Sequence, residues 1–372
     1  MPPDHEFVVV GAGLLGLAAG RALARRGRDV LVLEQAQPGH QGAGSHGSCR
    51  IFRLGYDDVR YVILAQRCRD LWGELEDAAG ERLLHPVPQL TFGAQMPTVA
   101  DALRQAGAPG EMLSAQQAGE RFPGVTATGP VLLEPASCVI AADRALAVLA
   151  NALPEIRLGV RVTSLADDGR RVLVSTDIGA IDAGHVVVCA GPWTAGILAT
   201  AGIAVPATAT QEQVAYLAPA GSGPTPEMPI IVDYSGGSPY GLPVPGSARY
   251  KIGIHHGGTA IDPDRQVQDP DEVLSRRIEQ VTRQLLPAFD PDPVAVERCV
   301  YDNSPDTDFI VDRIGNVVIG SGTSGHGFKF GPLLGEWLAA LAAGTGAQAN
   351  LDSPAGVGSP PPMFALSRFR PG

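Results

Sequence analysis

The stretch FVVVGAGLLGLAAG, Phe7 to Gly20, followed by the run VLVLE that ends at Glu34, decides the fold of this chain. Phe7 to Val10 form an unbroken apolar run suited to a parallel strand buried on both faces. Gly11, Gly13 and Gly16 supply a GxGxxG turn where that strand would pass into a helix. The first glycine permits a tight turn, the second lets a pyrophosphate approach the backbone, and the third lets the helix lie against the sheet. The free N–H groups and positive dipole end at the helix start favour phosphate. Glu34 stands 18 residues past Gly16, at the end of the second run, where a carboxylate accepts hydrogen bonds from ribose hydroxyls. A glycine-rich turn alone would account for the glycines. Strand, helix, second strand and terminal acid in register point to a dinucleotide-binding βαβ unit.

At 372 residues the chain is long for one ordinary domain and comfortable for two, and a hydrophobic content of 45% supports a sizeable core. A net charge of −11 argues against nucleic acid and anionic membrane surfaces, both of which call for basic surface. No apolar run reaches the roughly 18 residues of a membrane span. The N-terminus runs into a strand with no basic segment or cleavage pattern, so a cytoplasmic location is expected. The cysteines, Cys49, Cys68, Cys138, Cys189 and Cys299, are odd in number and scattered, with no CxxC pair. That excludes a disulfide framework as the natural reading and leaves no metal site in view.

After the βαβ unit comes a polar loop from Gly39 to Arg53, then an amphipathic helix predicted over about Asp57 to Ala78 with the stripe Val59, Val62, Ile63, Leu71 and Leu75. Prolines 86, 88, 97, 109 and 123 break the next segment into short elements, which suggests an inserted second domain. A helix near Asp143 to Leu153 and strands at Gly159 to Leu165 and Arg171 to Thr176 follow, and VVVCAG, Val186 to Gly191, reads as another buried strand. From Thr210 to Tyr301 the pattern is alternating strands with one helix, Asp271 to Leu286. NVVIG at Asn316 to Gly320 and a helix from Pro332 return to the first domain, and the tail Ser353 to Pro362 reads as an extended surface segment. Residues 1–83, 140–209 and 303–372 are therefore assigned to one discontinuous domain, and 84–139 and 210–302 to a second. This layout fits FAD better than NAD, because the glycine turn would hold only the adenosine and pyrophosphate half. Gly20 completes the longer GxGxxGxxxG form. The expected class is α/β: an FAD-binding Rossmann-like domain of glutathione-reductase type plus an antiparallel-sheet α+β substrate domain.

In YKIGIHH, Tyr250 to His256, strand alternation puts Lys251, Gly253 and His255 on one face and Tyr250, Ile252 and Ile254 on the other. The first face is either simply solvated or presents an ammonium and an imidazole beside a gap that admits a flat ring. Cys299 and Tyr301 likewise share a face, and a buried cysteine by itself is usually a small apolar residue. GSGTSGHGFKFGP, Gly320 to Pro332, embeds His326 and Lys329 among glycines just ahead of a helix. Arg50 and Arg53 lie three apart in the earlier glycine-rich loop.

These segments resemble the monomeric sarcosine oxidase and N-methyltryptophan oxidase family of FAD-dependent amine oxidases. The resemblance rests on SHGSCRIFR at Ser45 to Arg53, YGLP at Tyr240 to Pro243, KIGIH at Lys251 to His255, CVYDNSPDTDFIVD at Cys299 to Asp312 and GHGFKF at Gly325 to Phe330. Their order and spacing match over essentially the whole chain, down to LSRF at Leu366 to Phe369. It implies that Cys299 forms an 8α-S-cysteinyl bond to FAD, that Lys251 activates oxygen and that Arg50 lies near the flavin ring. Arg53 and Lys329 would clamp the substrate carboxylate. Tyr240, His255 and Tyr301 would line the substrate cavity. Gly11, Gly13, Gly16, Glu34, His46, Val162 and the loop of Gly325, His326, Gly327, Phe328 and Lys329 would contact the cofactor. Cys49 departs from the threonine common in relatives, and Leu242 stands where sarcosine oxidase has an aromatic.

The expected function is oxidation of a secondary-amine amino acid by hydride transfer to flavin, with imine hydrolysis and reduction of dioxygen to hydrogen peroxide by a monomer. A dehydrogenase, or an oxidase of cyclic or primary amino acids, on the same fold is the second reading. A non-catalytic dinucleotide-binding module is the third.

Overall fold

The computed structural model describes residues 2–223, 225–235, 237–344 and 358–369. The apolar run forms strand His5–Val10, near the middle of an eight-stranded sheet. It pairs in parallel with Val30–Glu34 on one side and Gly179–Val188 on the other. Ile156–Leu158 and Val317–Ser321 extend this parallel core outward. Phe7 and Val9 face a cluster built with the helices Leu14–Arg25 and Gly331–Ala342. Val8 and Val10 face the opposite cluster, with Val162, Leu165, Val172 and Val174. A strand covered on both faces needs no polar alternation, which is why the run is apolar throughout. The two covering helices meet through small residues: a Cβ on Gly335 would lie 2.5 Å from that of Ala18.

The second sheet has nine strands. Thr208–Leu217 pairs antiparallel with Tyr250–Ile254 and with Ala295–Asn303, and Pro239–Pro243 flanks Tyr250–Ile254 on its other edge. Gln89–Gly93 joins in parallel with Ile230–Tyr234, so strands far apart in sequence complete one sheet. Tyr250, Ile252 and Ile254 are buried with Leu274 and Ile278 of the helix Glu272–Leu285, which leaves Lys251 and Gly253 on the opposite face. A small sheet of Cys49–Phe52, Leu84–Pro86 and Cys138–Ala141 sits beside the two large ones.

Local differences from the sequence reading have physical causes. The long helix is Val59–Ala79, capped by Asp58 and closed by Gly80 at φ +63°. Its buried stripe runs through Val62, Ala65, Cys68, Trp72 and Leu75, and Ile63, one position off that stripe, is 42% exposed. The strand expected from Gly159 begins at Val162, since Gly159 turns the chain at φ +69°. The strand expected at Val186 to Gly191 is the end of the longer Gly179–Val188. A 3-10 turn, Phe328–Phe330, precedes the last long helix. The part of the proline-rich tail from Ser353 to residue 357 lies outside the described residues.

Candidate active site

Gly11 adopts φ +99° and donates its N–H to the Leu33 carbonyl at 2.8 Å, so the chain leaves the strand in a turn that only glycine takes without strain. A Cβ on Gly16 would overlap the Gly11 carbonyl oxygen, so the helix can approach only because Gly16 has none. Gly13 caps that helix in extended backbone, and the next N–H, from Leu14, is donated to Ser45 Oγ at 3.0 Å. Ser45 thus uses one of the helix's free donors, a role the glycine motif does not announce. Glu34 is buried and accepts N–H bonds from Ala12 at 2.8 Å and Ala36 at 2.9 Å. Its carboxylate therefore braces the glycine turn as well as bordering the cavity.

That cavity, about 810 Å³, runs from Gly11 and Glu34 past Val162 and His46 to Lys251 and Cys299. It brings Arg50, Arg53, Lys251 and Lys329 to one space, walled by Tyr240, His255 and Tyr301 and by the Gly325 to Lys329 loop. A backbone edge kept bare by glycines, a buried carboxylate beside it and a continuous channel leading to a cation cluster fit FAD. Gly11, Gly13, Gly16, Glu34, His46 and Val162 would hold its nucleotide half.

At the far end Lys251 is 4% exposed, and the one acceptor it meets among the described residues is the Cys49 carbonyl, at 3.4 Å. Burial, with Arg50 beside it, draws Lys251 below the ordinary ammonium range. Arg50 donates to the carbonyls of Cys49, at 2.9 Å, and His46, and lies 5.5 Å from the Phe328 ring centre. Cys49 thus contributes its backbone oxygen, while its thiol is buried. His46 is tied through Nδ1 to Gly39 O at 3.0 Å, with Nε2 3.7 Å from Glu297. Cys299 is a free thiol at the same end; burial holds it above the ordinary thiol range, against the smaller opposing pull of Arg50 and Lys251.

Arg53 and Lys329 form a second pair. Arg53 donates to the Gly55 carbonyl and lies over Tyr56, 4.3 Å from the ring centre. Burial opposes its charge, and Tyr234, Tyr56 and Glu134 around it more than restore it. Lys329 donates to the Tyr56 hydroxyl at 2.9 Å and to His326 O at 2.8 Å. Burial and the nearby Arg53 draw Lys329 well below its ordinary value. His255 is pushed well below 6.5, first by burial and then by His256, His326, Arg53 and Lys329, so its imidazole is neutral at neutral pH. Burial, first of all, pushes the Tyr240 and Tyr301 hydroxyls up, so both are neutral phenols. A Cβ on Gly325 would lie 2.2 Å from the Tyr301 ring, so the loop glycine makes room for the tyrosine that faces it.

Every residue assigned from the sequence reaches this cavity except Gly16, which acts through Gly11. Four others were missed: Ser45, Tyr56, Tyr234 and Glu134. Glu134 is buried and accepts from Gly55 N–H at 2.9 Å, Gln89 Nε2 at 2.7 Å and Thr91 Oγ at 2.7 Å. It lies 81 positions beyond Arg53, and no local pattern links the two. Tyr56, three residues past Arg53, could have been flagged as an aromatic beside the cation pair.

A nucleotide turn that opens into a cavity lined by four cations is the arrangement of a flavin-dependent oxidoreductase, and the comparisons with known proteins bear this out. The family model for FAD dependent oxidoreductases, of the DAO type, matches residues 6–341, and the chain belongs to that family. It is 33% identical over 362 residues to the peroxisomal sarcosine oxidase of Mus musculus, covering 90% of each protein. It is 32% identical over 396 residues to the N-methyl-L-tryptophan oxidase of Yersinia pestis (strain Pestoides F), covering 99% of this chain and 100% of that one. The structure of NikD, an unusual amino acid oxidase essential for nikkomycin biosynthesis, matches with a TM-score of 0.85 at 28% identity, over 93% of this chain and 96% of that one. The L-proline dehydrogenase from P. horikoshii, at 21% identity and a TM-score of 0.81 over 99% and 98% of the two chains, shares the fold. No helix among the described residues is long and apolar enough to cross a membrane.

Proposed function

We propose that this chain is an oxidase of a secondary-amine amino acid, with an N-methyl amino acid such as sarcosine or N-methyltryptophan as the leading class. The observation that carries this reading is the meeting of Arg50, Arg53, Lys251 and Lys329 in one cavity. When bound, FAD supplies the acceptor for a hydride from the carbon beside the amine, and returns the electrons to dioxygen as hydrogen peroxide. Arg53 and Lys329 bind the substrate carboxylate by charge-assisted hydrogen bonds, with the guanidinium able to do so in a two-pronged manner. The cations also disfavour a protonated substrate amine, and the neutral amine is the form whose nitrogen lone pair assists release of hydride. Lys251 stabilises negative charge developing on dioxygen through a positive charge already in position. Neutral His255 with Tyr240 and Tyr301 shapes the substrate space and abstracts no proton. The resulting imine is released to water and hydrolysed.

Cys299 is the residue that would join FAD covalently: its thiol and the 8α methyl carbon of the flavin would each lose a proton as the C–S bond forms, and the two electrons released would reduce the flavin and pass on to dioxygen. Its place on the cavity wall beside Arg50 and Lys251 supports that assignment. His46 and the Gly325 to Lys329 loop would border the flavin. The nucleotide domain would comprise 1–83, 140–209 and 303–372, and the substrate domain 84–139 and 210–302. The strand Cys138–Ala141 crosses that division. The enzyme is taken as a cytoplasmic monomer using a small amino acid and dioxygen.

A peroxide-coupled screen of N-methyl, cyclic and primary amino acids tests the reading. Peroxide from at least one N-methyl amino acid, at a kcat/KM above that of its primary counterpart, is expected. Turnover confined to cyclic or primary amino acids, or seen only with an artificial electron acceptor, would overturn it.

A further inference from the structure

Tyr56 is 7% exposed and stands behind the cavity wall, in contact with both members of the carboxylate pair. Lys329 Nζ lies 2.9 Å from its hydroxyl, and the Arg53 guanidinium carbon lies 4.3 Å from its ring centre. Two like charges drawn to one aromatic side chain are held at a set separation in spite of their repulsion, the guanidinium by the negative ring face and the ammonium by a lone pair. The ring itself is fixed. It stacks on Tyr61 at 5.1 Å and 21°, and leans on Phe330 at 5.7 Å.

The direction of the hydroxyl is fixed too. His326 Nε2 is 3.0 Å from the Thr307 carbonyl, which can only accept, so Nε2 carries the proton. Nδ1, 3.3 Å from the Tyr56 oxygen, is then the acceptor in a neutral ring. The Tyr56 proton points to His326, and a lone pair is left for Lys329. The hydrogen bonds therefore run in one sense: Lys329 to Tyr56, Tyr56 to His326, His326 to Thr307.

We propose that Tyr56 is the positioning residue of the carboxylate-binding site: one side chain sets Arg53 with its ring and Lys329 with its hydroxyl, so that both are aimed before substrate arrives. This rests on the reading that Arg53 and Lys329 receive the substrate carboxylate. It acts on binding and leaves the reacting atoms alone.

The test compares wild type, Tyr56→Phe, Lys329→Met and the double variant, using sarcosine as substrate, acetate as a competitive probe, and N-methylbenzylamine as a secondary amine with no carboxylate. In Tyr56→Phe the KM for sarcosine and the Ki for acetate rise about tenfold, the loss of one charge-assisted hydrogen bond. Its kcat stays within about twofold, and kcat/KM for N-methylbenzylamine is unchanged. The double variant binds acetate no worse than Lys329→Met alone, because both changes break the same bond. His326→Gln, which frees the hydroxyl to turn, gives a smaller rise in the acetate Ki and serves if the phenylalanine variant fails to fold. Wild-type acetate binding in Tyr56→Phe, or additive effects in the double variant, overturns the proposal while Lys329→Met still weakens acetate. If neither Lys329→Met nor Arg53→Met weakens acetate, the carboxylate-site reading falls, and this inference with it.

Discussion

Gly16 packs on Gly11 so closely that a Cβ on Gly16 would lie 1.8 Å from the Gly11 carbonyl oxygen. The obstacle is backbone, and it cannot step aside freely, because the Gly11 N–H is held by the Leu33 carbonyl at 2.8 Å. Gly16→Ala is expected to cost roughly 4 kcal/mol or more, in the range reserved for overpacking with no escape. Denaturant titration and flavin content of the purified protein check this. Gly20→Ala is the control. Its Cβ would meet Leu153 Cδ2 at 2.9 Å and Val32 Cγ2 at 3.1 Å, side chains that can shift, and a loss of about 1–3 kcal/mol is expected.

Cys299→Ser should leave FAD bound without a covalent link. Acid precipitation then yields a yellow supernatant, where wild type yields a yellow pellet. Arg50→Met should slow attachment without abolishing it, because Arg50 is the largest influence opposing the burial that pushes the thiol up. Flavin fluorescence retained in the pellet, followed over hours after adding FAD to apoprotein, reads this directly.

Lys251→Met should reoxidise in air about 10²–10³-fold more slowly than wild type, the scale of losing one preorganised charge at a site of developing charge. Anaerobic reduction by substrate should change far less. Stopped-flow measurement of both half-reactions separates them, and equal reoxidation rates would rule out the role given to Lys251.

The pH dependence follows from two histidines and one aspartate. Burial, then Lys329, lowers His326 from 6.5 to about 3, and His255 is held well below 6.5. In both cases the unfolded chain binds the proton first, so their contribution to stability is complete above pH 6.5 and is lost as pH falls toward the folded values. Asp302 runs the other way. Burial raises it from 3.8 to about 6 against hydrogen bonds from Ser321 and Gly322, so its contribution is present below 3.8 and lost as pH rises through 6. The stability of His326→Asn relative to wild type should therefore rise as pH falls from 7 to 4, and that of Asp302→Asn should fall. Thermal melts at half-unit steps measure both. Activity between pH 6 and 9 should show no inflection from His255, so His255→Asn should keep the wild-type profile shape.

Local order was legible in the chain. An unbroken apolar run, three glycines and a terminal acid specify a buried strand, a tight turn and a braced helix, because each follows from backbone sterics within about thirty residues. The alternation at Tyr250 to Ile254 was legible for the same reason: strand geometry sends Lys251 opposite Tyr250 whatever the rest of the fold does. What surrounds those residues was not. Tyr56 meets Lys329, 273 positions away, and Glu134 meets Gly55 across 79 positions. Neither pair has a spacing that could announce it.

The GxGxxG stretch thus determined by itself where a dinucleotide would be gripped and which way the chain leaves the strand. Tertiary folding decided that the bare edge of Gly11 and Gly13 opens into the same cavity as Lys251 and Cys299, and that two repelling cations are steadied by one tyrosine. Backbone conformation is set by neighbours a few bonds away. Electrostatic partnership depends on distance in space, and only the packing of the small-sheet strand Cys49–Phe52 and the loop after it against the turn Phe328–Phe330 brings Lys329 to Arg53 and Tyr56.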